Sequence, residues 1–382
     1  MNNYQQQLWD DLMSLVQANE AFYFADQYVG EQKYRIFNYR LASYSNWLIP
    51  GALECRGVMF RIEGDDYDAV PIRLASLPME KFFNLYENPF TENLDLTQVY
   101  MIEDKADGSL ISTYLDDNDN LLLKTKGSLA SDQAMSAMAW LEMMQPLKAE
   151  LLEFANADRT VNMEWVAPNN RIVLGYEVAE LRVLNIRHNL TGEYLDKKTI
   201  ENLSVGAYPN ILAQWTSQTE VDDPVSFVAS IPDMVGIEGY VVRLAPSGQR
   251  VKIKTTWYLA LHRTKDNINS PRRLFEAVLE ETTDDMRTLF HDDPLAIQTI
   301  QEMEDFVAEK YNHMVDTVER FYERNKHLSR KDYAILGQKE FAGTFYFGLA
   351  MSRYIGKDPD YKNFLKGKWK QLGLQDTEND DE

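Results

Sequence analysis

The hydrophobic pattern of this 382-residue chain changes character near residue 266. Before that point, short runs rich in β-branched and aromatic residues alternate with turn residues, which is typical of strands. After it, apolar residues recur at helical spacing, starting at Ser270-Pro271, where proline suits the first turn of a helix. The pattern predicts an α+β fold, with an antiparallel-sheet domain over residues 1–265 and an all-helical domain over residues 266–375.

Composition narrows the possible functions. The formal net charge of −21 argues against a generic nucleic-acid binder, although a local basic groove on an acidic body is compatible with it. Residues 376–382 are predicted to form a disordered acidic tail, because like charges repel and the segment has nothing to bury. No apolar run approaches membrane-spanning length, the N-terminus has no signal-peptide pattern, and Cys55 is the only cysteine. We expect a cytoplasmic protein without disulfides or membrane partners.

Lys105 lies between two predicted strands, residues 99–102 and 110–115, and precedes the turn sequence Asp107-Gly108. A lysine amine attacks phosphorus only after losing its proton, so its ordinary pKa near ~10.4 must be lowered by burial or by nearby cations. The attacked phosphate also needs cations on its oxygens. We interpret Lys105 as a candidate covalent nucleophile that carries AMP. A solvated lysine before a turn is the simpler alternative.

Other cations have surroundings that suit phosphate or nucleotide binding. Arg56 stands beside Gly57, which allows a phosphate to approach its guanidinium closely. Lys81 precedes two aromatic residues, and a cation next to a stacking surface suits a nucleotide. Two further pairs of lysines share strand faces through the two-residue period. They are Lys124 with Lys126 and Lys252 with Lys254. Surface ion pairs and solvated sheet faces are the alternatives.

Two glutamates are candidate functional carboxylates because of their positions in predicted strands. Glu164 lies inside an apolar strand at residues 160–167, and a carboxylate there requires a partner or a catalytic task. Glu238 stands at the start of another predicted strand, residues 236–244. The acidic loop at residues 116–120 lacks the glycine and terminal glutamate of a calcium loop, so it is predicted to be a hairpin turn.

The remaining segments give simpler predictions. Residues 4–17 are predicted to form an amphipathic helix, and residues 131–155 a helix whose methionines pack in the core. Residues 171–174 are predicted to form a strand, and residues 329–355 a helical run. The basic segment at residues 362–370, which contains a tryptophan, is either an RNA-backbone contact or a solvated helix face.

Taken in order, these motifs resemble those of the covalent nucleotidyltransferase superfamily of ligases and capping enzymes. The sequence K-A-D-G-S at Lys105 resembles its nucleophile motif. Its later motifs resemble N-M-E-W-V at Glu164, I-E-G-Y-V at Glu238, and V-K-I-K at Lys252 and Lys254. The flanking sequence closely resembles the RNA ligase 1 family of T-even bacteriophages over about residues 1–260, and more loosely beyond. The stretches that carry this closer resemblance are Y-R-I-F-N-Y, L-E-C-R-G-V-M-F, P-M-E-K-F-F-N-L-Y-E-N-P-F, A-P-N-N-R-I-V-L and T-G-E-Y.

The resemblance implies an ATP-grasp-like nucleotidyltransferase domain and a three-step reaction. Lys105 would take AMP from ATP, the AMP would pass to the 5′-phosphate of a broken RNA, and a 3′-hydroxyl would displace it. Matching positions imply a set of residues that bind the nucleotide: Tyr39, Arg56, Lys81, Lys126, Glu164, Lys252 and Lys254. The resemblance also implies three carboxylates that position Mg²⁺ (with Mn²⁺ as an alternative) or its waters, or the ribose: Glu164, Glu238 and Asp284.

The family also implies a substrate and a setting. Its helical C-terminal domain favours tRNA broken in the anticodon loop, which implies a monomeric enzyme that repairs tRNA in the cytoplasm of an infected bacterial host. The expected partners are therefore ATP and RNA with 5′-phosphate and 3′-hydroxyl ends.

Three other functions fit the sequence less well. A DNA ligase or capping enzyme would carry a C-terminal barrel of short strands, which the helical pattern after residue 266 does not fit. A non-catalytic RNA-binding module would not need the nucleophile lysine, the phosphate-binding cations and the carboxylates, all of which this chain has. A cysteine hydrolase using Cys55 needs a partnered histidine, and none of the five histidines lies in a comparable motif.

Overall fold

A computed structural model describes residues 1–170, 172–203, 206–261 and 270–374. The chain divides into two compact units, Met1–His262 and Arg263–Glu382. The predicted domain boundary at residues 265 and 266 and the predicted tail at 376–382 lie outside the described residues, so both stay predictions. Within the described ranges, no helix combines the length and the apolar character needed to span a membrane.

All the strands of the described residues lie in the first unit. They are β1 (Phe22–Val29), β2 (Gln32–Tyr39), β3 (Met59–Glu63), β4 (Val70–Ser76), β5 (Phe83–Asn84), β6 (Val99–Asp104), β7 (Ser109–Leu115), β8 (Leu121–Thr125), β9 (Arg159–Val166), β10 (Glu180–His188), β11 (Tyr194–Leu195), β12 (Gln218–Thr219), β13 (Gly239–Leu244) and β14 (Gln249–Lys254). Helices occur in both units. Those of the first are α1 (Asn3–Ala18), α2 (Tyr44–Trp47), α3 (Asp132–Met143), α4 (Gln145–Asn156), α5 (Lys197–Leu203), α6 (Pro209–Ala213), α7 (Pro224–Ser230) and α8 (Thr256–Leu261). Those of the second are α9 (Pro271–Leu279), α10 (Thr283–Leu289), α11 (Pro294–Asn325), α12 (Arg330–Glu340), α13 (Phe347–Tyr354) and α14 (Tyr361–Lys366).

The strands form three sheets. Their orders are β1-β2-β3-β4, β11-β10-β9-β7-β8 and β12-β6-β13-β14-β5. Neighbouring strands are antiparallel except for the short parallel pair β14 and β5. The described residues 270–374 contain helices but no strand. The prediction of an α+β fold with antiparallel sheets followed by a helical region is confirmed.

Helix α1 covers one face of the first sheet, as its amphipathic pattern predicts. Asn2 caps the helix through a reciprocal pair of hydrogen bonds with Gln5. The Trp9 ring packs edge-on against Phe37 at 5.5 Å and against Phe60 at 5.2 Å. These apolar contacts fix the sheet that carries Tyr39 at the end of β2.

Helices α3 and α4 pack on the second sheet, and they correct two predictions. The single helix predicted over residues 131–155 ends at Met143, because Pro146 at the start of α4 cannot donate the hydrogen bond that would continue it. The methionines at residues 135, 138, 143 and 144 were also predicted to be core residues. Met138 is partly buried against the core, as predicted, but Met135, Met143 and Met144 are 54%, 74% and 37% exposed. The buried face of α3 instead consists of Ala134, Ala137 and Leu141, since small residues let the helix approach the sheet closely.

The hairpin turn predicted at residues 116–120 is present, whereas the strand predicted at residues 171–174 is not found in its described part. The acidic loop is a hairpin turn between β7 and β8, as predicted, and the Asp116 carboxylate accepts the Asn118 and Asn120 N–H groups. The strand predicted at residues 171–174 was wrong for residues 172–174, which form bends, while residue 171 lies outside the described residues. Val173 and Leu174 donate their N–H groups to the Asp107 carboxylate instead of to a neighbouring strand.

The second unit is organised around the long helix α11. Asp293 caps this helix, and Ile300, Val307, Met314 and Val318 lie buried along one stripe. The helical run predicted over residues 329–355 is two helices, α12 and α13, separated by an irregular segment at residues 341–346.

Candidate active site

The nucleophile candidate, Lys105, stands where β6 ends. Strands β6 and β13 are antiparallel, and Asp104 pairs with Tyr240. The C-terminal end of β6 therefore meets the N-terminal end of β13, and the Lys105 N–H donates to the Gly239 carbonyl at 3.1 Å. This register brings Glu238, which directly precedes β13, to the same place as Lys105.

Glu238 is ion-paired with two of the predicted site lysines. Its Oε1 lies 2.7 Å from Lys105 Nζ and 3.5 Å from Lys254 Nζ. The Glu238 side chain is only 3% exposed, whereas that of Lys105 is 21% exposed. The other carboxylate oxygen, Oε2, is buried and has no hydrogen-bond partner among the described residues. A buried carboxylate oxygen without a partner is costly, so this atom is a natural place for a further ligand.

Glu164 is a half-buried carboxylate on β9, close to the same charges. Burial raises its pKa to about 7, with Glu238 adding to the rise, while Lys105, Arg56 and the Gly108 N–H oppose it. A carboxyl group with this pKa changes protonation state near neutral pH. The structure thus brings together Lys105, Glu164, Glu238 and Lys254, with Arg56 close enough to Glu164 to affect its pKa.

Gly108 explains why the nucleophile loop fits against β9. A Cβ built on Gly108 would lie 2.3 Å from the Trp165 carbonyl oxygen, which is far below any normal contact. Only glycine permits this approach between the loop and the strand that carries Glu164. The turn chemistry predicted at Asp107-Gly108 therefore serves close packing at this position.

The Asp107 carboxylate holds the nucleophile loop to two other segments. One oxygen accepts the Val173 and Leu174 N–H groups at 2.8 and 2.6 Å, and the other accepts the Tyr258 hydroxyl at 2.8 Å. The Asp107 N–H donates to the hydroxyl of Tyr176 at 3.0 Å. Sequence reasoning missed the two tyrosines. Nothing in their local pattern marks them, because the contacts join residues about 70 and 150 positions apart.

A second group of site residues surrounds the ring of Tyr39. Lys126 Nζ lies 4.6 Å from the ring centre and Lys81 Nζ lies 5.6 Å from it. Lys81 Nζ also lies 5.2 Å from the Phe83 ring, and Trp47 packs edge-on against Tyr39 at 4.7 Å. Cations and aromatic faces in this arrangement can bind a phosphate and a purine ring together.

Arg56 connects the two groups. Its Nη1 donates to the Met79 carbonyl at 3.4 Å, two residues before Lys81. The next residue, Gly57, has a φ of +90° and lies against the backbone of Lys126, leaving no room for a Cβ. The glycine beside Arg56 thus permits close packing of two chain segments.

The remaining predicted cations have separate surroundings. Lys252 Nζ lies 5.6 Å from the Phe82 ring, next to the segment that carries Lys81. Lys124 is fully buried, donates to the Gly57 carbonyl at 2.8 Å, and has its pKa lowered to about 7 by burial and by the Arg56 charge. Lys124 therefore joins β8 to residue 57, and we assign it a structural role.

Asp284, the third predicted metal ligand, lies in the first turn of α10 in the second unit. There its Oδ1 accepts the N–H of the next residue, Asp285, at 3.0 Å, and an acidic side chain in the first turn of a helix is favoured by the helix dipole. Across the described residues, no group of three or more His, Cys, Asp or Glu side chains has the spacing of a metal site. Glu164 and Glu238 nevertheless fit a hard divalent cation, because Glu238 Oε2 is buried without a hydrogen-bond partner and carboxylate oxygens are the ligands that Mg²⁺ prefers.

The basic segment at residues 362–370 is partly neutralised within its own unit. Lys366 pairs with Glu280 at 2.6 Å, and Lys362 pairs with Glu281. Lys368 Nζ lies close to the rings of Phe345 and Phe364, at 5.8 and 5.5 Å from their centres. A contact between this segment and RNA stays a prediction.

Comparison with known proteins gives two family matches and several relatives. Residues 54–258 match the family model described as RNA ligase, and residues 265–367 match the one described as T4 RNA ligase 1, C-terminal domain. RNA ligase 1 of bacteriophage TS2126 is 26% identical over 362 residues, which cover 91% of this chain and 86% of that protein. A putative RNA ligase of Thermovibrio ammonificans is 25% identical over 256 residues, which cover 65% of this chain and 64% of that protein.

The solved structure of an archaeal ATP-dependent RNA ligase aligns with a TM-score of 0.49 at 14% identity, covering 79% of each chain. The first family model alone covers more than half of the present chain. The resemblance to the RNA ligase 1 family and the prediction of a ligase enzyme are confirmed. This chain belongs to the RNA ligase family.

Proposed function

We propose that this protein is an ATP-dependent RNA ligase that joins 5′-phosphate and 3′-hydroxyl RNA ends through a covalent lysyl-AMP on Lys105. The observation that carries the proposal is the contact of Lys105 Nζ with the buried Glu238 carboxylate, shared with Lys254. A surface lysine with no catalytic task would not be expected to contact a carboxylate that is almost fully buried.

In the first step, Lys105 Nζ attacks the α-phosphorus of ATP. The N–P bond forms, the P–O bond to the β-phosphate breaks, and pyrophosphate leaves. The ammonium must first lose a proton, and Glu238 Oε1 at 2.7 Å is positioned to accept it. Lys254 lies close enough to the same carboxylate to offset the negative charge that gathers on the phosphate.

The cation and aromatic group around Tyr39 would bind the nucleotide. Lys81 and Lys126 supply two positive charges beside the Tyr39 ring, and the Arg56 charge is near enough to Glu164 to lower its pKa. This combination of planar surface and charge suits the purine and phosphates of ATP. Lys252, beside Phe82, extends the same basic surface.

In the second step, an oxygen of the RNA 5′-phosphate attacks the same phosphorus, the N–P bond breaks, and Lys105 regains a free amine. In the third step, the RNA 3′-hydroxyl attacks the adenylated 5′-phosphate and AMP leaves. Glu164 and Glu238 would hold Mg²⁺ or Mn²⁺, which would neutralise charge on the phosphate oxygens. Glu164, with a pKa of about 7, can hold or release a proton next to Lys105 near neutral pH.

The RNA and its setting are part of the same proposal. A tRNA broken in the anticodon loop, a monomeric enzyme and the cytoplasm of an infected bacterium follow from the resemblance to phage RNA ligases. The viral origin of one relative, from bacteriophage TS2126, supports this setting.

A two-substrate ligation assay tests the proposal. The wild-type chain should join 5′-phosphorylated RNA when ATP is present, and the new linkage should resist phosphatase. Lys105→Ala should fail with ATP but still join RNA that has been adenylated beforehand, because only the first two steps use the lysine amine. Wild-type protein that is folded yet joins neither substrate would overturn the proposal in favour of a binding module.

A further inference from the structure

Arg187 is a buried guanidinium on β10 whose hydrogen bonds join three chain segments. Its Nη1 and Nη2 donate to the two carboxylate oxygens of Glu54 at 2.7 and 2.8 Å, and its side chain is 3% exposed. Nη1 also donates to the Pro78 carbonyl at 2.9 Å, and Nε donates to the Gly192 carbonyl at 3.1 Å. Arg187 therefore fixes residue 54, residue 78 and the turn before β11 with one planar group.

Two of these segments lead directly to proposed nucleotide-binding residues. Glu54 stands two residues before Arg56, and Pro78 stands three residues before Lys81. The same two segments are joined again by the Lys81 N–H, which donates to the Leu53 carbonyl at 2.7 Å. The hydrogen bonds of Arg187 therefore set the spacing between the Arg56 and Lys81 backbones.

Tyr194 also holds the segment that carries Lys81. The centre of its ring lies 4.6 Å from the guanidinium of Arg187 and 4.0 Å from that of Arg250. Its hydroxyl accepts the N–H of Glu80, the residue before Lys81, at 3.2 Å. The segment that carries Lys81 is thus held at Pro78 by Arg187 and at Glu80 by Tyr194, two side chains that do not belong to the predicted site.

We propose that Arg187, with Glu54 and Tyr194, is a positioning residue that sets the distance between Arg56 and Lys81 for nucleotide binding. The inference rests on the proposed function of the Tyr39 site. Arg187 itself acts only through the two segments it holds. A lysine in its place would keep the charge but lose the planar, two-pronged contact with Glu54 and the simultaneous bond to Pro78.

The test compares Arg187→Lys with the wild type in covalent AMP labelling. Because misplacement by about 1 Å can cost on the order of 100-fold, we expect the KM for ATP to rise roughly 10-fold or more, with a smaller change in the maximal labelling rate. Arg35→Lys is a matched control, since Arg35 is fully buried and also makes a two-pronged contact, through Nε and Nη2, with Asp26 outside the site. The control should lower the melting temperature without raising the KM.

A double-mutant cycle distinguishes positioning from general destabilisation. Equilibrium ATP binding is measured in the Lys105→Ala background, where no covalent product forms. Arg187→Lys should weaken binding when Lys81 is present and have little further effect in a Lys81→Ala chain, because it acts through Lys81. Equal weakening in both backgrounds would overturn the inference.

Tyr194→Phe provides a milder variant if Arg187→Lys does not fold. It removes only the hydroxyl that accepts the Glu80 N–H, and it should raise the KM for ATP about 2- to 5-fold at an unchanged melting temperature. An unchanged KM would contradict the inference. The wild-type protein tests the proposed function separately. A folded wild type that neither binds ATP nor becomes labelled would refute the proposed function. Normal wild-type labelling together with unaffected variants would refute only the positioning role of Arg187.

Discussion

Lys105 Nζ lies 2.7 Å from Glu238 Oε1, although the two residues are more than 130 positions apart in the chain. The antiparallel register of β6 and β13 produces this contact, because Asp104 pairs with Tyr240. The nucleophile candidate and its carboxylate are therefore held by backbone hydrogen bonds of a sheet, which is more rigid than a pair of loops.

Glu238→Gln should nearly abolish covalent labelling with AMP. The substitution keeps the size of the side chain but removes the charge that pairs with Lys105 and Lys254 and the oxygen that can accept the lysine proton. We expect the initial rate of label formation from ATP to fall about 100-fold or more. Glu150→Gln is the control, since Glu150 is also a buried carboxylate but caps the start of α6. Equal labelling by both variants would show that Glu238 has no catalytic role.

Gly108→Ala should disrupt the nucleophile loop. The added Cβ would meet the Trp165 carbonyl oxygen at 2.3 Å, so either the loop or β9 must move. We expect a loss of about 1–3 kcal/mol in the free energy of unfolding, measured by denaturant titration, together with a large fall in labelling. Gly175→Ala serves as a control because no atom lies within 4 Å of the position of its Cβ. If Gly108→Ala were as stable and active as Gly175→Ala, the proposed close packing would be wrong.

Glu164→Gln should change how stability depends on pH. Burial raises the folded-state pKa of Glu164 to about 7, above the ordinary glutamate value near ~4.3, so the folded state binds more protons than the unfolded state between these values. The contribution of Glu164 to the free energy of unfolding is fully present below the unfolded-state pKa. It is lost as the pH rises towards the folded-state pKa of about 7. The wild type should thus lose stability relative to Glu164→Gln by up to roughly 1.4 kcal/mol per pH unit across this window. Parallel stability profiles from pH 4 to pH 8 would exclude the raised pKa.

Much of the fold was accessible from the sequence because its elements have strong local signals. The α1 helix, the β7–β8 hairpin and the capped start of α9 at Ser270 follow from periodicity, turn residues and caps. The failures have local causes as well. Pro146 ended a predicted helix, and the Asp107 carboxylate took the N–H groups that a strand at residues 172–174 would have used.

The site was less accessible because much of it depends on long-range contacts. The lysine and glutamate motifs could be located from sequence, but the register that joins Lys105 to Glu238 could not. Arg187 shows the limit clearly: its strand pattern marks it as one more charged residue, yet its partners lie at residues 54 and 78. Asp284 was named by resemblance alone, and its local contacts show a helix N-terminus.

The most direct test of the central claim is covalent labelling of Lys105. The protein is incubated with ATP labelled on the α-phosphate and with Mg²⁺, without RNA, then denatured, and the labelled peptide is mapped. The account predicts one acid-labile AMP on Lys105 and no label on Lys105→Ala. Label on another residue, or none on folded wild-type protein when pyrophosphatase is present, would contradict it.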